Sequence, residues 1–218
     1  VRMPSHPVAL NLIRSFGRAI AAPSANPFGY LSPTRADHVA RMLRDRIPLV
    51  LDGGPCCFGV ESTIVSCAGD QVFIHRHGGV SVEELTEVVG PVLPVAHNED
   101  VGPREAPGQL PYHYAPHKPV VIIDSPDLAV NARSSFLAFR TPPVPPPSIH
   151  LRVLSPAGDL REAAANFFSS LWELDRQDVE LIYAERIPEV GLGKAMMERL
   201  AKAAKKHDRP IVDNSRKA

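Results

Sequence analysis

The sequence predicts an α/β protein made of two units, a mixed sheet with helices and then a smaller parallel α/β layer. Two observations lead to this prediction. Apolar runs of strand length alternate with segments of helical period through most of the 218 residues. Between residues 94 and 119 the periodicity stops, and proline, glycine, histidine and charged residues dominate. We therefore place a first unit at residues 1–93, a linker at 94–119 and a second unit at 120–218.

The charge balance and the cysteines narrow the classes of function. The 24 basic and 24 acidic residues cancel, so net charge indicates neither a nucleic acid nor a membrane surface as partner. No apolar run approaches the roughly 18 residues of a membrane span. Cys56, Cys57 and Cys67 lack the spacing of a CxxC motif. They indicate reduced thiols in a cytoplasmic protein, with a zinc site as the alternative.

The first unit is predicted to begin with the end of a strand at residues 1–4 and a helix at 7–17. A short buried strand is predicted at 19–22 and a longer one at 48–52, because both are apolar runs that lead into turn residues.

Two further helix starts are recognisable from their capping residues. Ser32 and Pro33 have the residue types of an N-cap and a first helical position. Ser81 and Glu84 have the spacing of a capping box for a short helix at 80–89.

The segment at residues 21–26 is suited to close approach by a ligand. Its small residues leave the main chain open, and Pro23 favours an extended backbone before it. Ser24 and Asn26 are two residues apart, so in an extended segment both side chains point to one face. A polar ligand fits this arrangement, and an ordinary Pro-Ser-Asn turn is the alternative.

Arg76 ends a strand predicted at residues 72–76, next to glycines and after an earlier strand predicted at 62–67. A guanidinium in this setting matches a phosphate or carboxylate, because its planar fork donates two parallel hydrogen bonds. A solvated surface arginine is the alternative.

The second unit alternates strands and helices, which predicts a Rossmann-like parallel layer. Asp159 is expected to cap a helix at 160–174, and a glycine turn at 188–193 opens another through Lys206. That turn suits either close packing or phosphate binding. In the linker, residues 111–117 are aromatic and rich in histidine, so we expect them to fold back on the protein. The predicted strands lie at residues 120–124, 136–139, 151–154 and 179–184.

Taken in order, these pieces resemble the threonylcarbamoyl-AMP synthase family, whose catalytic part is the YrdC-like domain. The resemblance implies an incomplete YrdC-like twisted mixed sheet with helices, followed by a smaller Rossmann-like parallel α/β domain. The chain starts after the family's Lys/Arg cluster, so we expect it to lack the N-terminal part. The matching motifs are VRMP at 1–4, APSAN at 22–26, LSPT at 31–34, LDGGPC at 51–56, GVESTIV at 59–65, the strand that ends at Arg76 with its glycines, HYAP at 113–116, and the tail from 157–159 to GLGKAMMERLAKAA at 191–204.

The family makes L-threonylcarbamoyl-AMP and pyrophosphate from L-threonine, bicarbonate or CO2, and ATP with magnesium. The product supplies a tRNA-modifying threonylcarbamoyl transferase, which acts on the adenosine next to the anticodon. The resemblance therefore implies these partners, and it leaves double-stranded RNA or tRNA binding open. It implies no catalytic nucleophile and no metal ligand from the chain itself.

The resemblance also implies three groups of site residues, each offering side-chain or backbone donors to anionic reactants. They are Arg2, Ala22 and Ser62 for L-threonine; Ser24, Asn26, Ser32 and Arg76 for ATP; and His113 and Tyr114 as a lid from the linker. The alternative hypothesis is a truncated, non-catalytic module of the same fold that binds nucleotide or RNA or regulates a partner.

Overall fold

A computed structural model describes residues 3–95, 113–125, 133–144, 146 and 150–206. It confirms the predicted fold class, because a mixed sheet and a parallel sheet follow one another along the chain. Among the described residues, no helix is both long and apolar enough to cross a bilayer.

The first unit holds a three-stranded sheet in the order β1-β2-β3. β1 pairs antiparallel with β2, and β2 pairs parallel with β3, so the sheet is mixed. Its elements are α1 (Pro7–Phe16), α2 (Ala36–Leu43), a 3-10 turn (Arg44–Arg46), β1 (Ile64–Ala68), β2 (Gln71–Arg76), α3 (Val82–Val89) and β3 (Val92–Pro94).

The second unit holds a four-stranded parallel sheet in the order β4-β7-β5-β6. The all-parallel pairing is the Rossmann-like layer that the alternation of strands and helices predicts. Its elements are β4 (Val120–Ile123), β5 (Ser134–Ala138), β6 (His150–Val153), α4 (Leu160–Asp175), β7 (Leu181–Glu185) and α5 (Leu192–Lys205).

The main hydrophobic core lies in the second unit and extends across the boundary between the units. α4 and α5 bury their apolar faces in it, with Phe167, Phe168 and Met196 fully buried. Tyr30 and Leu31 of the first unit belong to the same cluster. The two units therefore share one core around α4.

The predicted caps of α3 and α4 are confirmed. Ser81 and Glu84 form a complete capping box on α3. The Asp159 carboxylate accepts a hydrogen bond from the Glu162 amide at 2.7 Å. At the glycine turn before α5, a Cβ on Gly193 would lie 1.8 Å from the Pro188 carbonyl oxygen, which favours close packing as the reason for that glycine.

The buried strands predicted at 19–22 and 48–52 are wrong. Neither segment forms regular structure, and Ile20, Leu49 and Leu51 are 41%, 71% and 51% exposed. Both runs have strand composition, but no described segment pairs with their backbones, and a strand requires a pairing partner. Of the strand end predicted at 1–4, residues 1 and 2 lie outside the described residues, and 3 and 4 have no regular structure.

The helix start predicted at Ser32 and Pro33 is also wrong, because α2 begins at Ala36 with Arg35 at the N-cap position. The Ser32 hydroxyl instead donates to the Glu61 carboxylate, far along the chain. A tertiary contact thus takes the side chain that a local cap would use.

Candidate active site

Arg76 ends β2 and is 8% exposed, so its guanidinium lies inside the protein. Its Nε and Nη2 both donate to the Ser62 carbonyl oxygen, at 3.1 and 2.8 Å. Nη2 also lies 3.4 Å from the Ser62 hydroxyl. The loop before β1 can approach this closely because residue 78 is glycine: a Cβ there would lie 2.3 Å from the Glu61 carbonyl oxygen.

Tyr114 brings the linker motif into contact with Arg76. The tyrosine is 2% exposed, and its hydroxyl accepts from Nη1 of Arg76 at 3.4 Å. Its φ of 62° lies in the left-handed region, which tyrosine rarely adopts, so tertiary contacts hold it there. Burial raises the pKa of the phenol, and Tyr114 stays protonated at neutral pH.

His113 lies beside Tyr114, with ring centroids 4.1 Å apart, and is half-buried. Burial lowers the pKa of its imidazole, so the ring is neutral at pH 7. Its Nδ1 is buried and has no hydrogen-bond partner among the described residues. The ring also contacts Phe28 edge-on at 5.8 Å, which joins the linker to the segment after residues 22–26.

A second polar centre joins Glu61 to α5. Nε and Nη2 of Arg199 donate to one Glu61 carboxylate oxygen at 3.2 and 3.0 Å, and Ser32 donates to the other oxygen. The Arg199 guanidinium also lies 5.1 Å from the centroid of the Tyr114 ring. The second unit therefore contributes a fully buried cation to this region of the first unit.

A third contact set holds the linker down. Asp175, at the end of α4, accepts from the Tyr30 hydroxyl at 2.6 Å, from the Lys118 amide at 2.9 Å and from His117 at 2.9 Å. Burial alone would raise the pKa of this carboxyl, but the hydrogen bonds from Tyr30, Lys118 and His117 keep it below its usual range. Asp175 is thus an ionised anchor for both the linker and the segment before α2.

The segment at 22–26 is only partly drawn into these contacts. Ala22 and Ser24 are exposed, and none of the contacts above reaches them. The Asn26 amide donates to the Tyr30 carbonyl at 3.2 Å, while its Oδ1 is buried without a partner among the described residues. Arg2 lies outside the described residues, so its predicted role stays a prediction.

Direct hydrogen bonds therefore join Arg76 to Ser62 and Tyr114, and Ser32 reaches the same network through Glu61. Ala22 and Ser24 stand apart from this network, in a neighbouring segment. The structure thus brings together one part of the predicted set and leaves Ala22 and Ser24 facing solvent.

Three residues of these contact sets carry no predicted role: Glu61, Arg199 and Asp175. The sequence does indicate that Arg199 is buried, because it lies on the face of α5 that also buries Ala195 and Ala203. An arginine on an apolar stripe must find a buried partner. Glu61 lies in the GVESTIV motif, but its partner Arg199 is 138 residues away. No sequence pattern points to Asp175, whose partner Tyr30 is 145 residues away.

Among the described residues, no group of three or more His, Cys, Asp or Glu side chains is placed to hold a metal ion. Glu61 is already bonded to Arg199 and Ser32. The His, Cys, Asp and Glu side chains of the described residues therefore do not form a magnesium site. A cavity of about 510 Å³ opens between β2, β3 and α5, where Ile74 and Met197 line it, and none of the predicted site residues borders it.

Comparisons with known proteins agree with this architecture. The family described as "Threonylcarbamoyl-AMP synthase, C-terminal domain" matches residues 80–205, and one described as "Telomere recombination" matches residues 1–78. The threonylcarbamoyl-AMP synthase of Bacillus subtilis is 38% identical over 215 residues, which cover 94% of this chain and 62% of the relative. The Pyrococcus abyssi protein of that name is 36% identical over 214 residues, covering 94% and 63%.

Solved structures of related proteins also have a similar fold. The crystal structure of Pyrococcus abyssi Sua5 complexed with L-threonine has a TM-score of 0.81 and 34% identity, covering 94% of this chain and 63% of that one. A variant of the same protein with a histidine and the next residue, a tyrosine, changed to alanine has a TM-score of 0.78 and 32% identity, covering 94% and 62%.

The fold and the contacts define a two-unit α/β protein with a buried polar centre where the units meet. The chain belongs to the threonylcarbamoyl-AMP synthase family. It spans about 62% of the length of the Bacillus subtilis relative and 63% of the Pyrococcus abyssi one.

Proposed function

We propose that the chain carries out the family reaction, in which L-threonine, bicarbonate or CO2, and ATP give threonylcarbamoyl-AMP and pyrophosphate. The observation that supports this most is the buried Arg76, bonded to Ser62 of one motif and Tyr114 of another. Three separate motifs of the family thereby meet at one guanidinium. The L-threonine bound to the related Pyrococcus abyssi protein supports threonine as the amino acid.

The chemistry needs alignment and charge neutralisation more than it needs a nucleophile. The threonine amine first combines with bicarbonate to give a carbamate and water. A carbamate oxygen then attacks the α-phosphorus of ATP, and the bond to the pyrophosphate leaving group breaks. Both reactants are anions, so guanidinium, hydroxyl and backbone donors lower the barrier by holding them together.

The proposed binding roles are those that the family resemblance implies. Arg2, Ala22 and Ser62 hold threonine. The partnerless Oδ1 of Asn26 supports a polar ligand at that segment, because a buried acceptor otherwise carries a desolvation cost. The ATP side comprises Ser24, Asn26, Ser32 and Arg76. Magnesium enters with the ATP phosphates, as it commonly does where the protein offers no dedicated cage.

His113 and Tyr114 act as the lid. They belong to the linker motif and already contact Phe28 and Arg76. Closing this segment over the reactants excludes water, which protects a product that hydrolyses readily. In this proposal the product passes to a threonylcarbamoyl transferase that modifies tRNA, and the proposed location of the reaction is the cytoplasm.

The test is pyrophosphate release that depends on L-threonine, bicarbonate and ATP together, with magnesium present. Arg76→Ala should lower kcat/KM for ATP about 100-fold or more, since a charged donor at the reacting groups is lost. The control is Arg41→Ala, which removes an exposed arginine of the same unit and should leave kcat/KM unchanged. Arg76→Lys keeps the charge and separates its effect from that of the hydrogen-bond fork.

Retained ATP-dependent product formation in a folded Arg76→Ala protein would refute the assigned role of Arg76. Binding of threonine or ATP by the unsubstituted chain without any pyrophosphate release would favour the alternative, a non-catalytic binding module. This second test is necessary because the chain covers 62% of the length of the Bacillus subtilis relative. Calorimetric titration with each substrate distinguishes the two results.

A further inference from the structure

Arg199 is the largest fully buried side chain of the described residues, and it is charged. Besides its two bonds to Glu61, its Nη1 donates to the His77 carbonyl oxygen at 2.5 Å and to the Ala195 carbonyl oxygen at 3.2 Å. The guanidinium thus joins α5 to the turn after β2. A buried cation with this many directed bonds has one fixed orientation.

Glu61 transmits that orientation to the first unit. One carboxylate oxygen accepts both Arg199 bonds and the other accepts the Ser32 hydroxyl. The next residue is Ser62, whose carbonyl oxygen accepts from Arg76. Movement of the Glu61 carboxylate would therefore displace residues on both the threonine and the ATP sides of the proposed site.

Tyr114 closes these contacts into a ring. Its hydroxyl accepts from Arg76, and its ring lies beside the Arg199 guanidinium. The order around the ring is Arg199, Glu61, Ser62, Arg76 and Tyr114. In a closed ring, a change at one member shifts the others, so the contributions of its members are not independent.

We propose that Arg199 is a positioning residue of the active site, which acts through Glu61 and Tyr114 to fix Ser32, Ser62 and Arg76. By this role α5 of the second unit sets the geometry of the substrate site, although Arg199 itself touches no substrate. The proposal rests on the proposed function. It assigns the second unit a direct part in that reaction.

The test uses Arg199→Lys and Glu61→Gln, alone and together, with thermal unfolding midpoints measured alongside. Each single variant should lower kcat/KM for ATP about 10- to 100-fold, because small misplacements of positioning groups have effects of this size. The double variant should lose little more than the worse single variant. A matched control is Lys194→Ala, since Lys194 also lies on α5 and bonds to the first unit, but through the exposed Glu83.

Wild-type kcat/KM in folded Arg199→Lys and Glu61→Gln overturns the proposal. Losses that multiply in the double variant overturn it too, as does an equal loss in Lys194→Ala, which would indicate general loosening of the units. If the unsubstituted chain releases no pyrophosphate, the proposed function fails. The inference is then decided by calorimetric Kd values for L-threonine, which should weaken in the two single variants and not in Lys194→Ala. Failure of the unsubstituted chain to bind threonine would overturn both.

Discussion

The helices α1 and α4 are both amphipathic, yet only α4 buries its apolar face. In α1 no residue is buried, and Val8, Leu12 and Phe16 are 37%, 45% and 58% exposed. In α4, Phe167 and Phe168 are completely buried against the parallel sheet. A periodic apolar pattern thus predicts that a helix forms, whereas its burial depends on a facing layer.

The same contrast separates the two units. Among the described residues, the buried apolar residues of the first unit are Tyr30, Leu31 and Ile74, and the others lie between 114 and 203. Tyr30 and Leu31 join the core of the second unit. The first unit is therefore held in place largely by surfaces that the second unit provides.

The sharpest test of this contrast substitutes one phenylalanine in each helix. Phe167→Ala should lower the free energy of unfolding by about 3–5 kcal/mol, because it leaves a cavity in the core. Phe16→Ala should change it by less than about 0.5 kcal/mol, because that ring is largely in water. Urea denaturation of both variants measures this, and similar losses would show that α1 is buried in solution.

An intermediate loss of stability is expected from substitution of Asp175, which anchors the linker and Tyr30. Asp175→Asn should lower the free energy of unfolding at pH 7 by about 2–3 kcal/mol, since an ionised acceptor with three donors is lost. The native pKa of Asp175 lies below its unfolded value. The stabilisation is thus complete above the unfolded pKa, about 3.9, and is lost as pH falls through the native pKa.

Urea denaturation at several pH values tests this anchor, with the exposed Asp178→Asn as control. The gap between the wild type and Asp175→Asn should be constant from pH 7 to about 5 and should narrow in more acidic solution. A gap that stays the same down to the acid limit would contradict an ionised, hydrogen-bonded carboxylate.

The smallest effect is expected within the first unit, at the capping box of α3. Ser81→Ala removes the acceptor for the Glu84 amide and should cost about 1 kcal/mol. Ser5→Ala, at an exposed position outside any helix, serves as the reference. Chemical denaturation measures both, and equal results would mean that α3 frays at its first turn in the folded protein.

The sequence predicts the elements of the second unit well because each signal finds its partner within the described chain. α4 carries both a cap at Asp159 and a continuous apolar stripe, and the sheet beside it supplies the opposing surface. The runs at 19–22 and 48–52 carry the strand signal too, but no described segment pairs with them. A local sequence pattern does not indicate whether another segment lies beside it to pair with its backbone.

The candidate site was predictable at Arg76, where a strand ends in an arginine beside glycines. The sequence did not predict that this guanidinium donates hydrogen bonds to the Ser62 carbonyl oxygen. Glu61 and Arg199 are 138 residues apart, and no local rule links them. The roles of the substrate-binding residues stay predictions.

The bond between Tyr30 and Asp175 spans 145 residues of sequence. A ribosome that adds about 5–20 residues per second makes Asp175 roughly 7–30 s after Tyr30. Until then, the nascent first unit has no α4 against which to bury Tyr30 and Leu31, and its apolar groups face water or a chaperone. During translation, the first unit therefore completes its folding only after α4 of the second unit has been synthesised.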